Sequence, residues 1–195
     1  MKIGCVVMAA GRGRRFGANK LLAPLAGAPL LSYALRALPR ERLARTVAVV
    51  SAEGVAALCR ACGVFPLRYP GGPQSETVRR GIGQMRGMEG CLFVQGDQPL
   101  LTAQSVERLL DSFAAFPDEV HRLSYEGVAG SPVLFPSALF PALAALSGER
   151  GGMAAARSSG ARIRLVEALS GVEMMDADTE KALSEIEKML ILKKP

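Results

Sequence analysis

Apolar runs of strand length alternate with helix-patterned segments along the first two-thirds of the chain, the signature of a parallel sheet joined by crossover helices. This predicts an α/β fold: a single three-layer αβα domain over residues 1–195 with a mainly parallel, Rossmann-like sheet. Strand candidates are Ile3 to Met8, Thr46 to Ser51, Phe65 to Tyr69 and Cys91 to Gln95, with a later one at Pro132 to Phe135 and a shorter one at Ile163 to Val166. Helices are expected over Pro29 to Leu38, Glu53 to Cys62, Ser75 to Met88, Thr102 to Phe116, Ser137 to Leu146 and Thr179 to Leu192. The last carries Leu183, Ile186, Met189 and Leu190 at helical spacing and is read as packing. No internal repeat or low-complexity linker marks a second domain, and 195 residues suit one substantial core.

The stretch from Met8 to Lys20 follows the first strand candidate and reads as a phosphate-holding loop. Gly11, Gly13 and Gly17 let several backbone N–H groups converge on one anion, and Arg12, Arg14, Arg15 and Lys20 supply positive charge. It is not a dinucleotide fingerprint, because the third glycine comes one residue late, with Phe16 in its place. Nor is it a Walker loop, because Lys20 stands three residues past Gly17 and precedes Leu21 rather than Ser or Thr. Ligands of open α/β sheets sit at the carboxyl ends of the strands, where this loop falls.

A net charge of +6 and a pI near 9.5 admit nucleic acid, an acidic membrane or phosphorylated small molecules as partners. Clustering of the cations in the first loop favours the last, and with no tryptophan and three tyrosines, stacking platforms for single strands are poorly supplied. No apolar stretch reaches membrane-spanning length and the N-terminus lacks the layout of a signal peptide, so a cytoplasmic protein without membrane or nucleic-acid partners is expected. Cys59 and Cys62 have Cys-x-x-Cys spacing but no second pair, so all four cysteines are read as reduced core or helix-face residues.

Asp97 follows the strand candidate Cys91 to Gln95 in a Gly-Asp-Gln-Pro turn, ahead of Thr102 as the expected N-cap of the next helix. A carboxylate there can meet the basic loop across neighbouring strands, and Asp176 and Asp178 add two more acids before the final helix. Such oxygen donors suit a divalent ion clamped against phosphates. The bland reading makes Asp178 a helix N-cap. His121, the one histidine, is read as a surface or edge-strand residue, and Met85, Met88, Met174 and Met175 as core filler.

With these motifs in place, the chain resembles the nucleotidyltransferases with a MobA-like fold, of nucleotide-diphospho-sugar transferase type. The resemblance rests on Ala9-Ala10-Gly11-x-Gly13-x-Arg15-Phe16-Gly17-x-x-Lys20-Leu21-Leu22, Gly27-x-Pro29-Leu30, Gly96-Asp97-Gln98-Pro99-Leu100, Gly130-x-Pro132-Val133-Leu134-Phe135 and Asp176-x-Asp178-Thr179. Within that family it is similar to the molybdenum cofactor cytidylyltransferases. The resemblance implies that Gly11 and Gly13 wrap a triphosphate, that Arg15 and Lys20 neutralise the α- and β-phosphates, and that Asp97 holds Mg²⁺, with Mn²⁺ as the alternative. Asp176 or Asp178 would complete the metal site. The Ala-Ala-Gly form at Ala9 to Gly11 points to CTP, with backbone groups of Ala9 and Ala10 and a hydroxyl of Ser75 or Thr77 as base and ribose contacts.

The implied acceptor is the terminal phosphate of the molybdopterin cofactor, with pyrophosphate as product and a molybdenum hydroxylase or its chaperone as downstream partner. Three positions depart from the pattern: Ser131 stands where the cofactor enzymes have His, Gly148-Glu149-Arg150-Gly151-Gly152 replaces a Gly-Asp-x-Gly-Ala-Arg segment, and Glu180 replaces a proline. Transfer to a sugar or polyol phosphate, and non-catalytic delivery of nucleotide or molybdopterin, are the alternative readings.

Overall fold

Period-two burial organises the sheet. In β1 (Ile3–Ala9), Ile3, Cys5, Val7 and Ala9 enter one hydrophobic cluster while Val6 enters another, as pleated strands covered on both faces require. The computed structural model describes residues 1–11 and 19–192. The remaining elements are β2 (Pro24–Leu25), β3 (Ala28–Pro29), α1 (Leu30–Arg36), β4 (Arg45–Val50), α2 (Glu53–Ala61), β5 (Phe65–Arg68), α3 (Gln74–Ile82), β6 (Gly90–Gln95), α4 (Ala103–Ala115), β7 (Val120–Tyr125), β8 (Val128–Pro136), α5 (Phe140–Ala144), α6 (Gly152–Ser158), β9 (Ile163–Glu167) and α7 (Glu180–Leu192), with β2 and β3 forming a small hairpin of their own.

The main sheet has seven strands in the order β5-β4-β1-β6-β8-β7-β9. Strands β5, β4, β1 and β6 are parallel, β8 runs antiparallel to both neighbours, and β9 is parallel to β7. One cluster packs α1, α2, α4 and α7 against the sheet through residues such as Leu31, Val55, Leu109 and Ile186. The other packs α3, α5 and α6 through Val78, Ile82, Leu143 and Ala156. The three-layer αβα architecture with a mainly parallel sheet is therefore the one the alternation predicts.

Several boundaries move for local reasons. The helix expected over Ser75 to Met88 stops at Ile82, where Gly83 closes it and Gly87 then adopts a φ of 78°. That expected over Ser137 to Leu146 is a short 3₁₀ turn at Ser137–Leu139 followed by α5, with Pro141 in its first turn. Strand β7 and helix α6 fall outside the predicted elements. His121 is corrected outright: it is fully buried on β7, an interior strand between β8 and β9. The Phe116 carbonyl can only accept, so Nε2 carries the proton and donates to it at 2.9 Å, leaving Nδ1 to accept from the Ser112 hydroxyl at 2.9 Å. Burial, with the Arg164 charge, outweighs that carbonyl and holds the imidazole pKa below its ordinary value.

Cys5, Cys59 and Cys91 are buried and Cys62 half-buried, all as free thiols. Burial pushes the Cys5 thiol up to about 12 and the Cys59 thiol to about 11, so both stay protonated. Among the described residues, no helix is long and apolar enough to cross a membrane.

Candidate active site

Parallel strands that end together aim their following loops at one place. Met8 of β1 is registered with Val49 of β4 and with Gln95 of β6, so the connections after β1 and β6 leave the sheet side by side. The Gly96 N–H donates to the Met8 carbonyl at 3.0 Å, which locks the start of the Asp97 turn against the end of β1. A Cβ on Gly96 would sit 3.1 Å from that carbonyl oxygen. Glycine therefore sets how closely the two loops approach.

Lys20 begins a 3₁₀ turn whose preceding residue, Asn19, accepts from the Leu21 N–H through its side chain. That turn sends the Lys20 ammonium between two carboxylates, 2.6 Å from Asp97 Oδ2 and 2.6 Å from Asp178 Oδ1. Burial opposes the ammonium's charge, but the hydrogen bonds and charges of Asp178 and Asp97 together hold its pKa above the ordinary value. Asp178 is delivered by the segment before α7. Its helix-cap role is taken instead by Thr179, whose hydroxyl accepts from the Ala182 N–H at 3.1 Å, leaving Asp178 free to reach Lys20. The Ala177 N–H donates to the Asp97 carbonyl at 3.0 Å and joins the two acidic segments directly.

Asp176 lies beside them with its pKa raised, chiefly by burial and then by the charges of Asp97 and Asp178, against the opposing pull of Gln98 and Lys20. Among the described residues the site thus carries three carboxylates against one ammonium. An excess of hard oxygen donors is the composition that Mg²⁺ or Mn²⁺ takes, so the residues present fit a divalent ion. The geometry separates the three acids expected at the metal. Asp97 and Asp178 converge on one cation, while among the described residues no three His, Cys, Asp or Glu side chains form a ready cage.

Three cavities meet here. The first, about 350 Å³, is lined by Ala10, Gly11, Lys20, Gln74, Thr77 and Asp97 among others. The second, about 550 Å³, adjoins it at Gln95 and Asp97 and is walled by Arg122, Ser131, Met174, Asp176 and Asp178. The third, about 240 Å³, holds Phe93, Arg122, Phe135 and Met153 and shares Gln95 with both.

The residues expected at the nucleotide are therefore brought together in large part. Ala10, Gly11, Lys20, Thr77 and Asp97 line the first cavity, and Ala9 is buried just before them on β1. The Thr77 hydroxyl is already paired with the Tyr69 hydroxyl at 2.6 Å. Ser75 is buried and does not line any of the three cavities, where its neighbour Gln74 does. Gly13 and Arg15 lie outside the described residues. Met174 and Met175, expected as core filler, line the second cavity while also packing against the core.

Sequence reasoning missed Gln95, Arg122 and Glu173. A lone polar residue closing the run Leu92-Phe93-Val94 was the available signal for Gln95. Glu173 is almost fully buried, and its carboxylate accepts from Thr102 N (3.0 Å), Thr102 Oγ1 (2.7 Å), Ser105 Oγ (3.0 Å) and Leu169 N (3.1 Å). It thereby ties the segment carrying Asp176 and Asp178 to the N-terminus of α4, where a negative charge is also favoured by the helix dipole.

The chain has relatives in sequence and in fold. The purine catabolism protein PucB of Bacillus subtilis is 28% identical over 199 residues, covering 89% of this chain and 90% of that protein. The bifunctional protein GlmU of Rhizorhabdus wittichii is 32% identical over 112 residues, which is 54% of this chain and 25% of GlmU, so the match spans about a quarter of that relative. Among solved structures, a nucleotidyl transferase from Methanothermobacter superposes with a TM-score of 0.82 at 22% identity, over 99% of both chains. Rv0371c of Mycobacterium tuberculosis in complex with manganese superposes at 0.77 and 22% identity, over 96% of this chain and 99% of that one. A CMP:2-keto-3-deoxy-manno-octonic acid synthetase complexed with CTP does so at 0.79 and 13% identity, with full coverage of both. These likenesses share the fold, and the MobA-like NTP transferase domain itself matches residues 5–163. Carrying that domain over most of its length, with the paired Lys20 and Asp97 lining its first cavity, the chain belongs to the family of MobA-like NTP transferases.

Proposed function

We propose that the protein transfers CMP from CTP to the terminal phosphate of the molybdopterin cofactor, releasing pyrophosphate. The observation that carries this reading is the junction of two cavities at Asp97, with Lys20 bridging Asp97 and Asp178 there. A nucleotide in the first cavity and an acceptor in the second would place their reacting atoms on either side of that carboxylate. The structural neighbour solved with CTP and the one solved with manganese support a pyrimidine nucleotide and a divalent ion in a fold of this kind.

The chain's own residues divide the work. Ala10 and Gly11 offer a narrow backbone wall to the nucleotide, and Lys20 exchanges its two carboxylates for phosphate oxygens when the triphosphate arrives. Asp97 and Asp178, so released, would hold the divalent ion, which when bound neutralises phosphate charge. An acceptor phosphate oxygen forms a new bond to the α-phosphorus. The bond from that phosphorus to the bridging oxygen of the β-phosphate breaks, and its electron pair leaves with pyrophosphate. An ionised phosphate needs no general base, so positioning and charge stabilisation supply the catalysis.

The test is pyrophosphate release measured with CTP, GTP and ATP, each against molybdopterin cofactor and against sugar or polyol phosphates, with Mg²⁺ or Mn²⁺. Turnover only with CTP, the cofactor and the metal is the expected result. Turnover confined to a sugar phosphate, or tight cofactor binding without pyrophosphate, would overturn it.

A further inference from the structure

Among the described residues, Arg122 is the one charged residue that lines both the second and the third cavity. It projects from β7, where the pairing with β8 shifts register between Arg122 and Ser124. On the other side, β8 pairs with β6 only from Val133 onward, so residues 128–132 stand away from β6 and leave an opening. Arg122 faces that opening. Its Nε donates to the Gly130 carbonyl at 2.7 Å and its Nη2 to the Ala129 carbonyl at 3.2 Å, which fixes the guanidinium plane.

Among the described residues Arg122 forms no salt bridge, although the second cavity contains three aspartates that it could have paired with. Only two of its five N–H groups are spent on the hairpin carbonyls. A half-buried, unpaired and rigidly oriented guanidinium is costly in a folded protein unless an anion completes it. Arg157 of α6 adds a second positive charge to its surroundings, while burial and that charge together depress its own pKa. Among the described residues the third cavity is lined by no acid, its walls being Met8, Phe93, Phe135, Met153 and small or polar neighbours.

We infer that Arg122 is the anion-recognition residue of the acceptor side, binding the phosphate monoester of the incoming substrate through its unspent N–H groups. Resting on the proposed transfer reaction, this assigns a phosphate seat to the wall opposite Asp97, with Ser131 beside it where a hydroxyl can add a further hydrogen bond. A guanidinium held by backbone carbonyls presents its remaining donors as a fixed fork, which suits bidentate phosphate binding better than a mobile lysine.

The experiment titrates inorganic phosphate into protein whose first cavity is already filled with the non-cleavable analogue α,β-methylene CTP, or with the corresponding analogue of whichever nucleotide raises Tm most. Bound phosphate is read by ³¹P line broadening and by Tm. Arg122→Gln keeps a donor for the hairpin carbonyls and removes the charge. The expected result is a 10- to 100-fold weaker phosphate response in Arg122→Gln, partial recovery in Arg122→Lys, and nucleotide affinity within twofold of wild type. In turnover, KM for the acceptor rises by the same factor while KM for the nucleotide holds. An unchanged phosphate response in Arg122→Gln, or a loss that falls equally on the nucleotide, overturns the assignment. A different nucleotide or acceptor would sink the proposed reaction but leave the phosphate titration intact, so the two failures are separable.

Discussion

Replacing Glu173 by Gln tests whether the acidic segment is held in place from behind. The carboxylate uses Oε2 for the N–H and hydroxyl of Thr102, and Oε1 for the Leu169 N–H and the Ser105 hydroxyl. In glutamine one of these positions becomes NH₂. The facing hydroxyl can rotate and accept, and because the Leu169 N–H also reaches the Ser105 hydroxyl at 3.3 Å, the amide settles with its oxygen toward Thr102 and its NH₂ toward Leu169 and Ser105. The Leu169 N–H then loses its shorter partner and keeps only that longer bond, and the charge-assisted character of the surviving bonds is lost, for a total of about 1–3 kcal/mol. For a chain of this size that corresponds to a fall in Tm of roughly 3–10 °C. Thermal unfolding followed by circular dichroism measures it, with Glu185→Gln as control, an exposed carboxylate on α7 whose loss shifts stability by less than about 0.5 kcal/mol. Because the Ala177 N–H and the Gln98 side chain join this segment to the Asp97 turn, turnover falls as well. A Tm within about 1 °C of wild type would refute the reasoning, since no relaxation lets an amide accept from both backbone donors.

Lys20→Met removes the ammonium that two carboxylates share; turnover should drop by about 10²- to 10³-fold, and Mn²⁺ without nucleotide should raise its Tm more than that of wild type, because Asp97 and Asp178 are freed. His121 is held neutral, so its folded pKa lies below the unfolded value of about 6.5. The unfolded chain then binds a proton that the folded one refuses, and this contribution is complete above about pH 6.5 and is lost as pH falls toward the folded value; Tm measured from pH 7.5 to 5 should fall less steeply in His121→Gln than in wild type. A Cβ at Gly81 would lie 2.5 Å from Val6 Cγ1, so Gly81→Ala should destabilise by about 1–3 kcal/mol in urea titration despite its better helix propensity.

The central parallel strands β1, β4 and β6 were legible because they are buried on both faces over most of their length and read as apolar runs. Strand β7 was not, since His121, Arg122 and Ser124 interrupt its pattern. His121 and Ser124 are matched by partners on other elements, Ser112 for His121 and Glu167 for Ser124, and Arg122 only in part by the carbonyls of β8. Of the site, Lys20 and Asp97 could be anticipated because turn chemistry places them at strand ends. Asp178 was expected beside Asp97 with a helix cap as the bland alternative, and Thr179 fills that cap instead. Arg122 and Glu173 gave no local signal, because their roles come from a register shift and from a carboxylate reaching 68 to 71 residues back along the chain.

Strand β8 alone runs against its neighbours in the seven-stranded sheet, and this reversal has a consequence for how such a protein can change. Among the described residues, those lining the first cavity come mostly from the run of chain before β6 and those lining the second mostly from the run after it, with Gln95 and Asp97 at the seam. If the proposed reaction holds, donor and acceptor recognition are written in separate stretches of the gene. Grafting residues 120–178 from a relative onto residues 1–97 of this chain should exchange the acceptor while keeping the donor, and a lineage could diversify its acceptors by the same route.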